Sequence, residues 1–321
     1  MKRLILTMMA CICITAVHPA FAQTYPDRPI RLLIPLAAGS AVDVVARIVA
    51  DNMSERLGQK IFVENQPGAA GIIGARAGAN ADADGYTILA VNDSIMAMIP
   101  HMNPQAGYNP LLDFAPITQL VRVHWALVSH PSFPPKTLQE FLEFARRNPG
   151  KVDFASGGPG SPQHIAMEML MQQTGVRLNH IPYKGATPAL NDVVAGQVPI
   201  IFTALPTPLA FLSDKRLMLL GTGALARLPS LPDGPTVSEA GVKGFEYVTW
   251  GGLVAPAKMP PSIISILNKA AVGALNDPGV RKRLDTLGYE IVGNTPQQFA
   301  EALKIDDARL GALIRAIGLR Q

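Results

Sequence analysis

Two hydrophobic rhythms alternate along the chain. Residues 30–36 are almost continuously apolar and read as a buried strand, whereas residues 42–57 carry apolar positions three and four apart and read as a helix. Strand 61–64, helix 72–79 and strand 86–91 extend this into a βαβ series. Strands as uniformly apolar as Arg31-Leu32-Leu33-Ile34 suit a parallel sheet covered on both faces. Such sheets hold ligands beyond the carboxyl ends of their strands.

The alternation restarts at Trp125-Ala126-Leu127-Val128 and predicts a second lobe: helix 138–147, strand 152–155, helix 162–174, strand 178–181 and helix 188–195. Ser161 and Thr187 read as N-caps with Pro162 and Pro188 at the first helical positions, and Gly175 and Gly196 as stops. The Pro- and Gly-rich residues 228–244 read as a surface loop. Strand 247–254, helices 261–276 and 280–287, strand 290–292 and a terminal helix follow, the last opened by the capping box Thr295-Pro296-Gln297-Gln298. The predicted class is α/β, with parallel-dominated sheets in two lobes.

Chemistry concentrates at strand ends. Ala38-Gly39-Ser40, with Asp43 three residues on, is a small-residue loop entering a helix, a shape whose unpaired N–H groups attract anions. Capping alone, Ser-x-x-Asp, accounts equally well for both side chains. A matching loop runs from Ser156 through Gly158, Gly160 and Ser161 to Gln163 and His164. Two such loops on different lobes could grip the two ends of a dicarboxylate with amides and hydroxyls. Tyr183 and Gly185 end a strand of the second lobe, and Thr203 and Trp250 occupy comparable strand-end or interlobe positions; for each, core packing or a simple turn is at least as good a reading as ligand contact.

Composition narrows the field. Lys2 and Arg3, the apolar residues 4–17 and Ala20-Phe21-Ala22 form a secretory leader with cleavage expected after Ala22, and Met9-Ala10-Cys11 offers lipoprotein processing as a second route. The chain's only two cysteines, Cys11 and Cys13, fall within that leader, so no disulfide, thiol nucleophile or cysteine metal site is expected after it. The remaining chain of about 300 residues exceeds what one core supports. The full chain's formal charge of +4 drops to about +2 without Lys2 and Arg3, and with no charge run nothing suggests a nucleic-acid or membrane surface.

Gly68, Gly71 and Gly74 are spaced G-x-x-G-x-x-G, not as a dinucleotide fingerprint, and no Walker A, H-E-x-x-H or G-x-S-x-G motif occurs. His164 and Glu168 lack a third ligand nearby in sequence. Neither cofactor nor metal is expected. A secreted hydrolase would need His164 against Ser161 with an acid behind it.

Separate blocks in order resemble one family. They include Tyr25-Pro26-Asp27-Arg28-Pro29-Ile30, the loop ending in Asp43 with Ala46-Arg47, Glu64 to Gly71, Asp84-Gly85-Tyr86-Thr87 and Asp113-Phe114-Ala115-Pro116. Further on stand Ser156 to Ser161 with His164, His180 to Gly185, Pro235 to Gly241 and Trp250 to Pro256. Together they are similar to the Bug family, the extracytoplasmic substrate-binding receptors of tripartite tricarboxylate transporters.

The resemblance implies a type II periplasmic-binding fold of Venus-flytrap form. Lobe one would comprise residues 23–122 and 246–321, lobe two residues 123–245, with crossings near 121–125 and 245–250. It also implies a periplasmic, monomeric, non-enzymatic receptor that hands a di- or tricarboxylate, acidic amino acid or aromatic acid to membrane transporter subunits, or to a sensor. Ser40, Val42, Pro199 and Thr203 depart from the family pattern and leave the ligand open.

Overall fold

The computed structural model describes residues 25–316 and 318; the leader and its cleavage after Ala22 lie outside them. Its elements run β1 (Ile30–Ile34), α1 (Ala41–Leu57), β2 (Ile61–Asn65), α2 (Ile72–Ala79), β3 (Thr87–Asn92), α3 (Ile99–Met102) and β4 (Phe114–Ser129). There follow α4 (Leu138–Arg147), β5 (Asp153–Ser156), α5 (Pro162–Thr174), β6 (Asn179–Pro182), α6 (Ala186–Val194), β7 (Ile200–Ala204), α7 (Leu209–Ser213) and β8 (Met218–Thr222). The chain closes with β9 (Val248–Pro256), α8 (Pro261–Leu275), α9 (Pro278–Thr286), β10 (Tyr289–Ile291) and α10 (Pro296–Ala316).

The helices begin and end where their caps dictate. Ser40 and Ser161 are extended, and each hydroxyl accepts the amide three residues on, which fixes the starts of α1 and α5; Gly58 and Gly175 end them in left-handed backbone. Thr295 and Gln298 exchange the reciprocal bonds of a capping box ahead of α10. Helix α6 starts two residues earlier than its Thr187-Pro188 signal indicates, with Gly185 as N-cap. The reason is that the Thr187 hydroxyl is used elsewhere, donating to the Ala38 carbonyl at 2.8 Å.

Strands β2-β1-β3 pair in parallel, and β9 and then β4 add antiparallel to them. A second set, β6-β5-β7, is also parallel, with β7 antiparallel to β4. The sixteen-residue β4 therefore belongs to both: Phe114 to His124 pair with β9, and Trp125 to Ser129 with β7 and β8. The sequence reads a fresh strand at Trp125 instead. Irregular register at Pro116–Thr118 and Gln119–Val121, with polar Gln119, Arg122 and His124, breaks the hydrophobic pattern of its first half.

Each lobe has its own buried apolar packing, for example Leu33, Leu89, Ile95 and Phe299 in the first and Val128, Val193, Ile201 and Leu205 in the second. The topology brings the carboxyl ends of β1, β3, β5, β6 and β7 to one interlobe seam.

Candidate ligand cleft

A cavity of about 500 Å³ occupies that seam, well within the range of roughly 300–1,000 Å³ usual for ligand sites. From lobe one come Leu36, Ser40, Val42, the loop at Pro67–Gly71 with Ile73, and Asn92; from lobe two, Gly158, Ser161, Gln163, Tyr183 and Gly185. The crossing strands β4 and β9 supply the floor, with Val123, Trp125, Thr249 and Trp250, and Thr203 of β7 stands with them.

Of the residues the sequence singles out, Ser40, Gly158, Ser161, Gln163, Tyr183, Gly185, Thr203 and Trp250 line this cavity. The others stand beside or behind it. Ala38 and Gly39 form a lip that meets Thr187 across the cleft. Asp43 is turned inward, where it accepts the Gly39 amide at 2.8 Å and the Asn65 amide at 2.8 Å and pairs with Arg47 at 3.0 Å. Burial alone would raise its pKa, but Arg47, Gly39 and Asn65 outweigh that and hold the carboxyl below its ordinary value.

Ser156, fully buried, receives the Gly158 amide at 3.0 Å and lies 2.5 Å from His180 Nε2. His164 takes the Gly160 amide on Nδ1 at 3.1 Å and faces Glu168 through Nε2 at 3.3 Å. Its ring stacks on His180, which in turn stacks on Phe154, with centroids 4.2 and 4.9 Å apart. Burial first, and the neighbouring His164 second, push the His180 pKa down to about 4, so the His180 ring backs the loop as a neutral imidazole near pH 7. The Gly160 carbonyl receives the Ser94 hydroxyl of lobe one at 2.7 Å.

The hydrogen-bond inventory of the lining gives it one chemical sense. The Ser40 and Ser161 oxygens are occupied by helix amides, and the Thr249 oxygen accepts Trp125 Nε1 at 2.8 Å, so each hydroxyl has its proton left to give. Asn92 Oδ1 accepts the Ile95 amide, which leaves its NH₂. Gln163 is 4% exposed and, among the described residues, its side chain finds no hydrogen-bond partner.

Thr207 donates to the Ala204 carbonyl, so in the Thr203–Thr207 contact Thr203 is the donor and is spent. Tyr183 donates to Asp192 at 2.6 Å and is not available either. Among the described residues, no Asp or Glu lines the cavity, and Lys184, exposed, is its only formal cation. Asp93, next to the lining residue Asn92, is held well above the ordinary carboxylate value by burial and by Asp306. The lining is thus a set of neutral donors awaiting an acceptor.

A family model for the tripartite tricarboxylate transporter family receptor matches residues 45–319. A UPF0065 protein from the tcbD-tcbE intergenic region of Pseudomonas sp. (strain P51) is 36% identical over 91% of this chain and 87% of its own. The chain belongs to this receptor family. The solved structure of the periplasmic binding protein BugD, 34% identical, matches with a TM-score of 0.89 over 92% of this chain and 99% of that one. MatC from Rhodopseudomonas palustris, solved with bound malate, is 30% identical with a TM-score of 0.87, covering 90% and 100%.

The protein is accordingly a solute-binding receptor of the periplasmic-binding type, with the two-lobed α/β fold expected of it, and not an enzyme. The local geometry agrees: the Ser161 oxygen caps a helix and the His164 ring points to Gly160 and Glu168.

Trp125, Asn92 and Thr249 escaped the sequence reading, and so did the lining role of the Pro67–Gly71 loop. Asn92 ends a strand, the one signal that could have flagged it. Trp125 and Thr249 come from the crossing strands, whose place at the floor is set by pairing that spacing does not reveal.

Proposed function

We propose that this receptor captures a small carboxylate between its lobes in the periplasm and delivers it to the membrane subunits of a tripartite tricarboxylate-type transporter. The observation that carries the proposal is the donor set of Ser40, Ser161, Thr249, Asn92 and Gln163, in a cavity with no acidic side chain. Charged acceptors match such donors strongly, each hydrogen bond to a charged group contributing about 1.5–3 kcal/mol. The malate bound by MatC is consistent with this chemistry.

In this reading Ser40, Gly158, Ser161, Gln163, Tyr183, Gly185 and Thr203 contact ligand, while Ala38, Gly39, Asp43, Ser156, Gly160 and His164 hold the two loops in shape. Lobe one comprises residues 23–122 and 246–321, lobe two 123–245; the leader is removed after Ala22, and the receptor acts as a monomer. Closure brings Thr187 onto Ala38 and Ser94 onto Gly160, and bound acid selects that closed form.

A thermal-shift screen of the purified mature chain tests the proposal. Ligand at about 100 times its Kd adds roughly 2.7 kcal/mol, which raises the melting temperature by several degrees. A selective rise with one class of acid is the expected result. No rise with any mono-, di- or tricarboxylate, from protein unfolded and refolded to strip carried-over ligand, overturns it.

A further inference from the structure

Donors surround this cleft on every side, while carboxylates stand close behind its lining without entering it. On the floor, Asn92 lies opposite Gly251, and Thr249 is two residues along the same strand, so both side chains leave the sheet on one face. They are 6% and 4% exposed, and among the described residues the Asn92 NH₂ and the Thr249 proton have no partner. Lobe one adds the Ser40 proton and the Ala41 and Val42 amides, unpaired at the start of α1; lobe two adds Ser161 and Gln163.

Four carboxyl groups lie just outside. Asp43 is tied to Arg47, Asn65 and the Gly39 amide. Asp192 accepts the Tyr183 hydroxyl at 2.6 Å, and Asp306 accepts Trp250 Nε1 at 2.7 Å and pairs with Arg309 at 2.9 Å. Asp93 accepts the Ser94 amide at 2.9 Å, and burial and Asp306 disfavour its ionised form. None of the four lines the cavity.

The two halves of this inventory bear on any group a ligand carries besides its carboxylate. A hydroxyl or oxo oxygen accepts from the floor donors. An ammonium brings only donors of its own, and the acceptors it would find, such as Gln163 Oε1, are neutral. A cation enclosed without a counter-charge is strongly disfavoured, and a cleft can reject a close analogue sharply when polar groups are left unpaired.

Building on the carboxylate reading, we propose that the receptor selects acids whose further substituents are acceptor oxygens, hydroxyl or oxo groups read by Asn92 and Thr249, and excludes their amino counterparts.

Calorimetric titration of the stripped mature chain with three matched pairs tests this: malate and aspartate, 2-hydroxyglutarate and glutamate, mandelate and phenylglycine. Within a pair the two acids differ by one group on one carbon. The expected result is that in every pair that binds, the hydroxy acid binds at least about tenfold tighter than the amino acid. Asn92→Asp keeps the oxygen that accepts the Ile95 amide and exchanges the free NH₂ for a charged acceptor; it should bring the amino acid level with its hydroxy partner or ahead of it. Gln163→Glu makes the same exchange on the opposite lobe, and serves if the melting temperature shows that Asn92→Asp does not fold.

An amino acid binding the unaltered chain as tightly as its hydroxy partner overturns the inference and leaves the carboxylate reading standing, because an acid has bound. So does an unchanged order of affinity in a folded variant. Binding of none of the six acids overturns the inference, and the carboxylate reading falls with it if the wider thermal-shift screen is equally silent.

Discussion

Behind the loop at Gly39 stands a carboxylate; behind the loop at Gly158 stand two stacked imidazoles. Both loops leave a strand, turn through glycine and enter a helix capped by serine, so by sequence they look like duplicate devices. Their supports make them different. Asp43 is charged, tied to Arg47 and Asn65, and consumes the amide of its own glycine. His164 accepts the Gly160 amide and His180 lies against Ser156, so this loop is braced by stacked rings and not by a carboxylate. The same backbone motif is braced by a fixed anion in one lobe and by a pair of stacked rings in the other.

The contrast can be broken most severely at the point where the walls meet. Gly185 has φ +133, a region that side chains rarely enter, and an added carbon would lie 2.8 Å from Ala37 Cβ on the opposite lobe. Gly185→Ala should therefore hold the cleft open at a cost of about 2–3 kcal/mol, read as a loss of roughly 100-fold in acid affinity by calorimetry, with a much smaller change in the melting temperature of the ligand-free chain. Asp43→Ala removes the support of the first loop and leaves the Gly39 amide unsatisfied; denaturant melts should show about 2 kcal/mol lost.

Because the folded Asp43 pKa lies below its unfolded value, that contribution is complete above the unfolded value and disappears as pH falls through the folded one, in the acid range below about pH 4. The second loop has a different acid window. His180 titrates at about 4 in the folded chain against 6.5 ordinarily, so between those values the unfolded chain takes up a proton that the folded chain refuses. Stability should decline as pH drops from 6.5 toward 4, and melts of His180→Asn should lose this slope while keeping the Asp43 one.

The mildest change is Thr187→Val, which deletes the bond to the Ala38 carbonyl. It should weaken ligand binding several-fold, about 1 kcal/mol, with lobe stability unaltered.

Much of this frame is legible in the sequence alone. Caps such as Ser161-Pro162 and Gly175 gave α5 to the residue, and α4 likewise, because local chemistry alone determines such ends. Short β7 and β8, and the first half of β4, were not readable, since their pairing partners are distant in sequence and register irregularities blur the period. At the cleft, the two glycine loops announced themselves through spacing. What spacing could not convey was direction: Ser-x-x-Asp fits a capping box and an anion site alike, and only the path of the Asp43 side chain toward Arg47 and Asn65 separates them. Gln163 was legible as a helix-start residue, but its lack of any partner is a property of everything around it.

Strand β3 finds its second neighbour only in β9, more than 150 residues later. Trp250 on that strand is in turn secured by Asp306 and Phe299 of α10, at 2.7 Å and by an edge-to-face ring contact. During synthesis, then, the half of the molecule that leaves the ribosome first is the half that finishes last. A nascent chain reaching residue 245 already carries β5, β6, β7 and β8 complete, yet β1, β2 and β3 wait with one edge bare. The usual order, in which the amino-terminal domain folds first, is reversed by this connectivity.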